Sequence, residues 1–453
     1  MDFFFDEKEG DTQQKNEVNS SLPPSNSEKR KKWKMRLVAI GIAVASFAVG
    51  GVATWFSLDK EMRTLIKVKN GIEKNYYKEI TDDEFYGAIF KVVNEDVLDR
   101  YSCYMTADEQ LSNKQEMAGN RSGLGLVFAT KTSTGEDQLR IVRICGNSPA
   151  EAAGVKVGSF VNGFGKSETE IKDSVRFDEL LAFLSGFGEN EAFYLRLNEN
   201  GTEKIVSMSK QAYVESYVFY RTKTEAYGFS GKNATVLTKK GEPLACLNED
   251  TAYIRLTQFA GVAKENFEDA LKQFKRDGKK NLVLDLRGNG GGYLDVMQAL
   301  SGYFCKNTDK KRPVVAVADY GKKIEKYRAD FNRYDEYFSA DSRICVLADI
   351  NTASASECLI GSMVDYGAIS YADICLSERG GVAKTFGKGI MQTTYYLSAR
   401  LDALKLTTAE IKWPSGYSIH DRGVLPEDGA KTVAESDDDE EELVNAISLL
   451  FGE

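Results

Sequence analysis

The sequence predicts a multidomain protein with a single N-terminal transmembrane helix, a helical N-terminal segment, a β-rich domain and an α/β domain. Three observations lead to this prediction. An uncharged stretch of 20 residues lies near the start of the 453-residue chain. Short apolar runs that alternate with polar residues come next, and buried-looking strands then alternate with helical stripes. A chain of this length is sufficient for two or three domains.

Composition excludes some classes of function. The formal net charge of −9 argues against a nucleic-acid surface, so no nucleic-acid partner is expected. The seven cysteines are scattered without a CxxC pair, and the chain has one histidine. A zinc site of thiolate and imidazole ligands is therefore not expected, and the sequence predicts neither a metal nor a cofactor. The cysteines are interpreted as small buried hydrophobic residues.

The uncharged stretch Leu37–Phe56 is long enough to cross the roughly 30 Å hydrocarbon core of a bilayer as a helix. Six Lys and Arg residues precede it between Lys29 and Arg36. The positive-inside rule places residues 1–36, a polar tail expected to be disordered, in the cytoplasm and the rest of the chain outside. The alternative is a cleaved signal peptide, for which Ala43 and Ala45 supply an A-x-A pattern.

Residues 58–120 are expected to be mostly helical. Apolar side chains recur there at helical spacing, for example at Leu65, Val68 and Ile72. The stretch "VLDRYSCYMTADEQ" indicates a turn followed by a helix that begins at Thr106.

Residues 121–210 contain the strand-like runs "SGLGLVFAT", "QLRIVRI" and "AFYLRLN" and a short helix, "SPAEAAG". Together these motifs resemble a PDZ domain of the bacterial protease type. The resemblance implies that the loop Gly123-Leu124-Gly125-Leu126 offers backbone N–H groups to the C-terminal carboxylate of a peptide, which adds as a strand. "GSFV" departs from the usual Gly-Asp of such domains. The alternative is an ordinary β-rich core in which the glycines only make a turn.

Residues 211–453 follow an α/β pattern. "TAYIRLTQFA", "NLVLDL" and "RICVLAD" are predicted strands. Phe267, Ala270, Leu271 and Phe274 form one face of a predicted helix, with Gly278 at its end. "EEELVNAISLLFG" predicts a terminal amphipathic helix.

Two turns of the α/β part could carry chemistry. "DLRGNGGG", Asp285–Gly292, does not match a phosphate-binding loop, but its N–H groups could face an oxyanion. Ser354 and Ser356 lie at the start of a predicted helix, whose dipole favours a developing negative charge. The structural alternatives are a tight glycine turn and simple N-capping by serine.

A serine nucleophile needs a base. His420 has no acidic partner at a telling spacing, so we interpret it as structural. Lys388 lies between two glycines with apolar neighbours, which favour close approach and a lowered pKa, and Gln392 could orient its amine. Lys384 is a less suitable rival. The residues alone leave both a Ser/Lys enzyme and a purely structural interpretation open.

The motifs "LVLDLRGNGGG", "VLADINTASASE", "DYG" and "TFGKGIMQ" occur in this order. Together they resemble the carboxyl-terminal processing peptidases, the S41 family of Ser/Lys serine proteases, over roughly residues 65–453. The resemblance implies a ClpP/crotonase-like α/β catalytic domain at residues 211–453 and assigns roles by position. These are Ser354 as nucleophile, Lys388 as base, Gln392 as its orienting partner, Gly291 and Ala355 as oxyanion donors, and Asp365 as a supporting residue.

The expected function is a membrane-anchored serine endopeptidase that cleaves extracytoplasmic proteins with free C-termini at or near their C-terminal regions. One alternative is an inactive PDZ relative that only binds peptides, and another is a thioester hydratase on a related core. The segment between Asp365 and Lys388 is longer than usual in the family, which puts the Ser/Lys distance in question. The oligomeric state, a homo-oligomer included, stays open.

Overall fold

The computed structural model describes residues 33–38, 40, 54–132, 134–397, 402–436 and 439–451. They fall into two compact units, which divide between Lys91 and Val92. Most of the predicted transmembrane segment Leu37–Phe56, and most of the predicted cytoplasmic tail, lie outside the described residues. Within the described ranges, no helix has the length and apolar character that crossing a membrane requires.

Beyond residue 57, the predicted helical segments are confirmed by α-helices of the described part. They are α1 (Lys60–Asn75), α2 (Asp82–Val92), α3 (Ala107–Met117), α4 (Pro149–Ala152), α5 (Phe177–Ser185), α6 (Ala263–Arg276), α7 (Leu294–Ser301), α8 (Tyr334–Tyr337), α9 (Ala355–Asp365) and α10 (Asp439–Phe451). In α3, Thr106 and Glu109 form a reciprocal capping box, which fixes the predicted helix start. The predicted core stripe of α6 is fully buried.

The strands of the described part form four sheets. They are β1 (Cys103–Met105), β2 (Asn120–Gly123), β3 (Leu126–Lys131), β4 (Asp137–Ile144), β5 (Phe160–Gly165), β6 (Lys172–Asp173), β7 (Ala192–Glu199), β8 (Thr202–Ser209), β9 (Gln211–Val214), β10 (Val218–Arg221), β11 (Ala226–Ser230), β12 (Val236–Lys239), β13 (Thr251–Leu256), β14 (Asn281–Asp285), β15 (Val314–Asp319), β16 (Ile324–Arg328), β17 (Ile344–Asp349), β18 (Ile374–Ser377), β19 (Ile390–Tyr396), β20 (Ala403–Lys412) and β21 (Lys431–Val433).

An eight-stranded sheet in the order β12-β11-β10-β13-β14-β17-β18-β21 forms the centre of the second unit. The last five strands in this order, β13, β14, β17, β18 and β21, are parallel to one another. Because the carboxyl ends of parallel strands meet at one edge, the turns that follow β14 and β17 lie side by side. These are the glycine turn and the serine turn of the sequence.

The central sheet buries both of its faces. Ile254, Leu284 and Val346 pack on the side of α6, α7 and α9. The intervening residues of the same strands, such as Tyr253 and Val283, pack on the side of α10. This alternation explains why these strands are continuous apolar runs. It also places the terminal helix on the face opposite the serine helix.

Residues 120–214 supply a separate β-rich body. Strands β3-β4-β5-β7-β8 pair in that order, with β6 on β5, and β2 pairs with β9. Their own hydrophobic core includes Leu139, Leu180 and Phe193. β3 lies at the edge of its sheet, since it pairs with β4 alone among the described strands.

A five-stranded sheet pairs a strand near the start of the second unit with strands from the C-terminal part of the chain. β1 pairs with β20, which also pairs with β15 and β19. Ser102 strengthens the contact, because its Oγ accepts from the N–H of Thr407 at 2.8 Å. This stretch was predicted to be a turn, whereas Cys103–Met105 form β1.

Gly361 in α9 tests the packing of the serine helix. A Cβ at this position would lie 2.2–2.3 Å from ring atoms of the buried Trp413. We expect Gly361→Ala to lower the free energy of unfolding by roughly 1–3 kcal/mol, because neither helix nor indole can move freely. Chemical denaturation measures the change. Gly87→Ala is the control, since that helical glycine has open space and alanine there should be neutral or stabilising.

Candidate active site

Ser354 lies at the sharp turn between β17 and α9. Its backbone has φ 59° and ψ −115°, a conformation that residues with a side chain rarely adopt. Such strain costs roughly 1–3 kcal/mol and persists only where the surroundings enforce it. Thr352, buried two residues earlier, donates from its hydroxyl to the Leu286 carbonyl at 2.9 Å. The turn is thereby fixed to the end of β14, and Ser354 stays partly exposed.

The structure distinguishes the two candidate serines. Ser356 is fully buried, and its Oγ donates to the carbonyl of Asn289 in the glycine turn at 2.9 Å. Its hydroxyl therefore joins two loops. Ser354 Oγ donates no hydrogen bond to another described residue, so its hydroxyl proton remains available for chemistry on a substrate.

The glycine turn packs directly against Ser354. Gly291 has φ 98°, and a Cβ there would lie 2.8–2.9 Å from Ala353 O, Ala355 N and Ser354 Cβ. Only glycine fits this approach. Ala355 N–H has no acceptor among the described residues, whereas Gly291 N–H donates to Asn289 Oδ1 at 2.9 Å. In this arrangement one of the two predicted oxyanion donors is free and the other is occupied.

The Glu357 carboxylate connects the serine turn to the lysine segment. This fully buried side chain accepts from Ser354 N and Lys388 N through one oxygen, each at 2.9 Å. Its other oxygen accepts from Thr385 Oγ1 at 2.6 Å and Gly387 N at 2.8 Å. Ser354 N and Lys388 N are therefore within roughly 6 Å of each other. Burial raises the pKa of Glu357, against the effect of these donors.

Lys388 is partly buried beside this carboxylate. Burial and the nearby Lys405 cation lower the pKa of its amine, while Asp99 and Glu357 act in the opposite direction. Its Nζ lies 4.8 Å from the centroid of the Tyr101 ring. No hydrogen bond joins Lys388 Nζ to Ser354 Oγ, although both residues are described.

The other predicted residues take different positions. Gln392 Nε2 donates to Thr407 Oγ1 at 3.5 Å, with no hydrogen bond to the Lys388 amine. Asp365 Oδ2 accepts from Ser415 N at 2.7 Å, at the end of α9 that is roughly 15 Å from Ser354. Lys384 makes no hydrogen bond to the serine turn among the described residues.

His420 lies close to the lysine segment through its backbone. A Cβ on Gly389 would come within 2.7 Å of His420 N. The imidazole Nε2 lies 3.6 Å from the exposed Asp421 carboxylate and makes no hydrogen bond to Ser354. Among the described residues, no group of three or more His, Cys, Asp or Glu side chains is arranged to hold a metal ion.

The long segment before Lys388 returns to the serine helix. It includes β18 in the central sheet and a narrow turn in which Arg379 and Val382 pair. Phe386 N then donates to Thr352 O at 3.0 Å, just before the contacts of Gly387 and Lys388 with Glu357. The length of the segment therefore does not separate the Lys388 backbone from the Ser354 turn.

A buried network of ion pairs holds the residues that directly precede the glycine turn. Arg287 donates to Asp285 at 2.7 Å and to Glu442 at 2.6 Å, and all three side chains are at most 2% exposed. Glu442, on α10, also accepts from Arg379 at 2.6 Å. Burial opposes the charged form of Asp285, but Arg287 and Arg255 hold its pKa below the usual range. The network joins the terminal helix to the residue that precedes the glycine turn.

Comparison with known proteins identifies the class. Residues 250–428 match the model of Peptidase family S41. A "Probable CtpA-like serine protease" of Staphylococcus aureus (strain MRSA252) is 27% identical over 433 residues, which cover 92% of this chain and 77% of that protein. The Staphylococcus epidermidis protein of the same name is 26% identical over 421 residues, with 90% and 75% covered.

A crystal structure from Bacteroides fragilis, described as an S41 protease, has a TM-score of 0.51 at 16% identity and covers 83% of this chain and 91% of its own. It shows a shared fold. Residues 250–428 are thus similar to the peptidase family S41 domain, and the chain is a serine-type peptidase. These matches confirm the resemblance to the carboxyl-terminal processing peptidases that the sequence motifs indicated.

Sequence reasoning missed Glu357, Tyr101 and the ion network. A signal for Glu357 was present, because Ser354 and Glu357 have the S-x-x-E spacing of a capping box. Tyr101 and Glu442 gave no local signal, since Tyr101 contacts Lys388 and Glu442 contacts Arg287 and Arg379, all of which are distant in the sequence.

Proposed function

We propose that this S41 peptidase is an endopeptidase that uses Ser354 as nucleophile and Lys388 as general base. The observation that carries the proposal is the shared Glu357 carboxylate, which holds the backbones of both residues against one oxygen. A lysine with a lowered pKa and a free hydroxyl on a strained turn are the groups such a mechanism requires.

In the proposed mechanism, Ser354 Oγ attacks the carbonyl carbon of a peptide bond while the neutral Lys388 amine takes the hydroxyl proton. The Ala355 N–H and the N-terminus of α9 stabilise the negative oxygen of the tetrahedral intermediate. Lys388 then gives its proton to the leaving amine, which frees the new N-terminus and leaves an ester on Ser354. Water hydrolyses the ester with the same amine as base. Lysine reaches Ser354 by rotation about its side-chain bonds.

Gly291 and Gln392 have conditional roles in this proposal. Gly291 N–H becomes the second oxyanion donor when its bond to Asn289 Oδ1 opens or is shared. Gln392 orients the amine once Lys388 turns toward Ser354, because its present bond to Thr407 is long at 3.5 Å.

Residues 121–210 are proposed to be a PDZ domain that receives the C-terminus of the substrate. The N–H groups of Leu124 and Gly125 have no acceptor among the described residues, while their carbonyls accept from Ala150 and Cys145. The open edge of β3 begins at Leu126, the last residue of this loop. Free donors beside an unpaired strand edge suit an added peptide with a free carboxylate.

The peptidase is further proposed to be anchored by Leu37–Phe56, with residues 1–36 in the cytoplasm and the catalytic part outside the membrane. The supports are the uncharged length of that stretch and the six basic residues before it. The proposed substrates are extracytoplasmic proteins with free C-termini, cut near that end.

The test uses the purified full-length chain and an unstructured protein with an apolar C-terminus. We expect cleavage near the C-terminus, and slower cleavage of the same substrate with an amide-capped end. Equal cleavage of both forms would contradict carboxylate recognition. Cleavage that survives in both Ser354→Ala and Lys388→Ala would contradict the mechanism.

A peptide-binding relative without catalysis is the second candidate. The absent Ser354–Lys388 hydrogen bond and the occupied Gly291 N–H favour it. If wild type binds the free C-terminus but cleaves nothing, this candidate is correct and the endopeptidase proposal is wrong.

Gly125→Ala tests the carboxylate loop. Gly125 has φ 77°, and its Cβ would lie 2.2 Å from Ser148 Cβ, so the loop must shift. We expect the affinity for a free C-terminal peptide to fall at least tenfold, measured by fluorescence anisotropy. Gly154→Ala is the matched control, because Gly154 has a similar φ of 66° with open space around it. Equal affinity in the wild type and the Gly125 variant would contradict the assignment.

A further inference from the structure

The segment that precedes the β-rich body contacts Lys388, the proposed general base, through Tyr101. Asn94 holds both backbone groups of Tyr104, at 2.7 and 3.0 Å, and β1 pairs with the start of β20. Tyr101 N donates to Asp99 Oδ1 at 2.8 Å. Contacts of Asp99 before Tyr101 and of Tyr104 after it therefore fix the position of the Tyr101 backbone.

Two cationic side chains lie against the Tyr101 ring. Lys388 Nζ lies 4.8 Å from the ring centroid, and the Arg100 guanidinium carbon lies 4.7 Å from it. Arg100 also lies 5.4 Å from the Phe386 ring, on the segment that leads to Lys388. The Tyr101 hydroxyl is buried and has no hydrogen-bond partner among the described residues. The contact with Lys388 therefore comes from the ring face and not from the hydroxyl.

We propose that the Tyr101 ring is a positioning platform for the Lys388 side chain, so that the segment before the β-rich body completes the peptidase site. The inference rests on the proposed Ser/Lys mechanism. An aromatic face attracts an ammonium and not a neutral amine. Tyr101 thus holds the protonated Lys388 apart from Ser354 and releases the amine when it loses its proton.

The other charges around the amine are known. Lys405 on β20 opposes its protonation, while Asp99 and the buried Glu357 favour it. Arg100 is a further cation on the same ring. Substitution of Tyr101 leaves Lys405, Asp99 and Glu357 in place, whereas Arg100 loses its contact with the ring. A change in titration after that substitution therefore reports the loss of the ring, either directly or through the release of Arg100.

The experiment compares Tyr101→Leu with Tyr101→Phe in the full-length chain. The first readout is the pH dependence of Lys388 acetylation by trace acetic anhydride in a Ser354→Ala background, followed by mass spectrometry. The second is the pH profile of kcat/KM with Ser354 intact. We expect the leucine variant to move both midpoints to lower pH by roughly half to one and a half units. The phenylalanine variant, which keeps the ring face, should keep the wild-type midpoints.

An unchanged midpoint in Tyr101→Leu, or an equal shift in Tyr101→Phe, would overturn the inference. Circular dichroism checks the fold, and Tyr101→Met replaces the leucine variant if that one unfolds. The two readouts separate the role of Tyr101 from the Ser354/Lys388 mechanism. If Tyr101→Leu shifts the acetylation midpoint but Lys388 proves unnecessary for cleavage, the Tyr101 platform is supported and the proposed mechanism is wrong.

Discussion

Ser354→Ala is expected to lower kcat for peptide cleavage by about 10⁴- to 10⁶-fold without loss of folding, because the acyl-enzyme cannot form. Removal of the Oγ leaves the backbone contacts to Glu357 in place. KM should change little, since no binding group is removed. Steady-state kinetics with a fluorogenic peptide measure both constants.

Ser356→Ala is the matched control for that loss. It removes the same hydroxyl two residues away, where the Oγ donates to the Asn289 carbonyl. We expect this variant to lose roughly 1 kcal/mol of stability and to keep most of its activity. If Ser356→Ala were inert and Ser354→Ala active, the assignment of the nucleophile would be reversed.

Glu442→Gln is expected to give the largest loss of stability, about 3–5 kcal/mol. The substitution leaves the buried Arg287 and the partly buried Arg379 without the full charge they now face at 2.6 Å. Urea denaturation measures the change. The glycine turn follows Arg287 directly, so kcat should fall as well.

Glu441→Gln controls for this effect, because the neighbouring carboxylate is exposed and should matter by less than about 0.5 kcal/mol. Burial opposes the charged form of Glu442, but Arg379, Ser377 and Arg287 lower its pKa. A lowered folded-state pKa contributes stability above the unfolded value of about 4.3 and loses it as the pH falls further. The stability difference between wild type and Glu442→Gln should therefore shrink below about pH 4. A difference that is constant down to pH 2 would contradict a role for the charge.

Local patterns in the sequence predicted most elements of the core correctly. The stripe that ends at Phe274 and the strand before Arg287 are set by the burial of neighbouring residues, so their periodicity is visible in the sequence. The Thr106 cap is likewise a contact over three residues. These elements need no knowledge of distant chain segments.

The parts that escaped prediction depend on distant contacts. β1 is three residues long and exists because β20 offers it a partner. Lys388 could be proposed as a base from its glycines and apolar neighbours, but the Tyr101 ring beside it could not. The strained Ser354 backbone also left no pattern, because the surrounding turns impose it against the preference of serine.

The most direct test of Ser354 as nucleophile and Lys388 as its base is covalent labelling of the full-length protein with a fluorophosphonate. Mass spectrometry of the labelled peptide then locates the adduct. We expect a single adduct on Ser354, formed faster as the pH rises through the lowered pKa of Lys388. We also expect Lys388→Arg, which stays charged, to abolish the adduct. An adduct on Ser356 or elsewhere, or labelling of Ser354 at the same rate in Lys388→Arg, would contradict these roles.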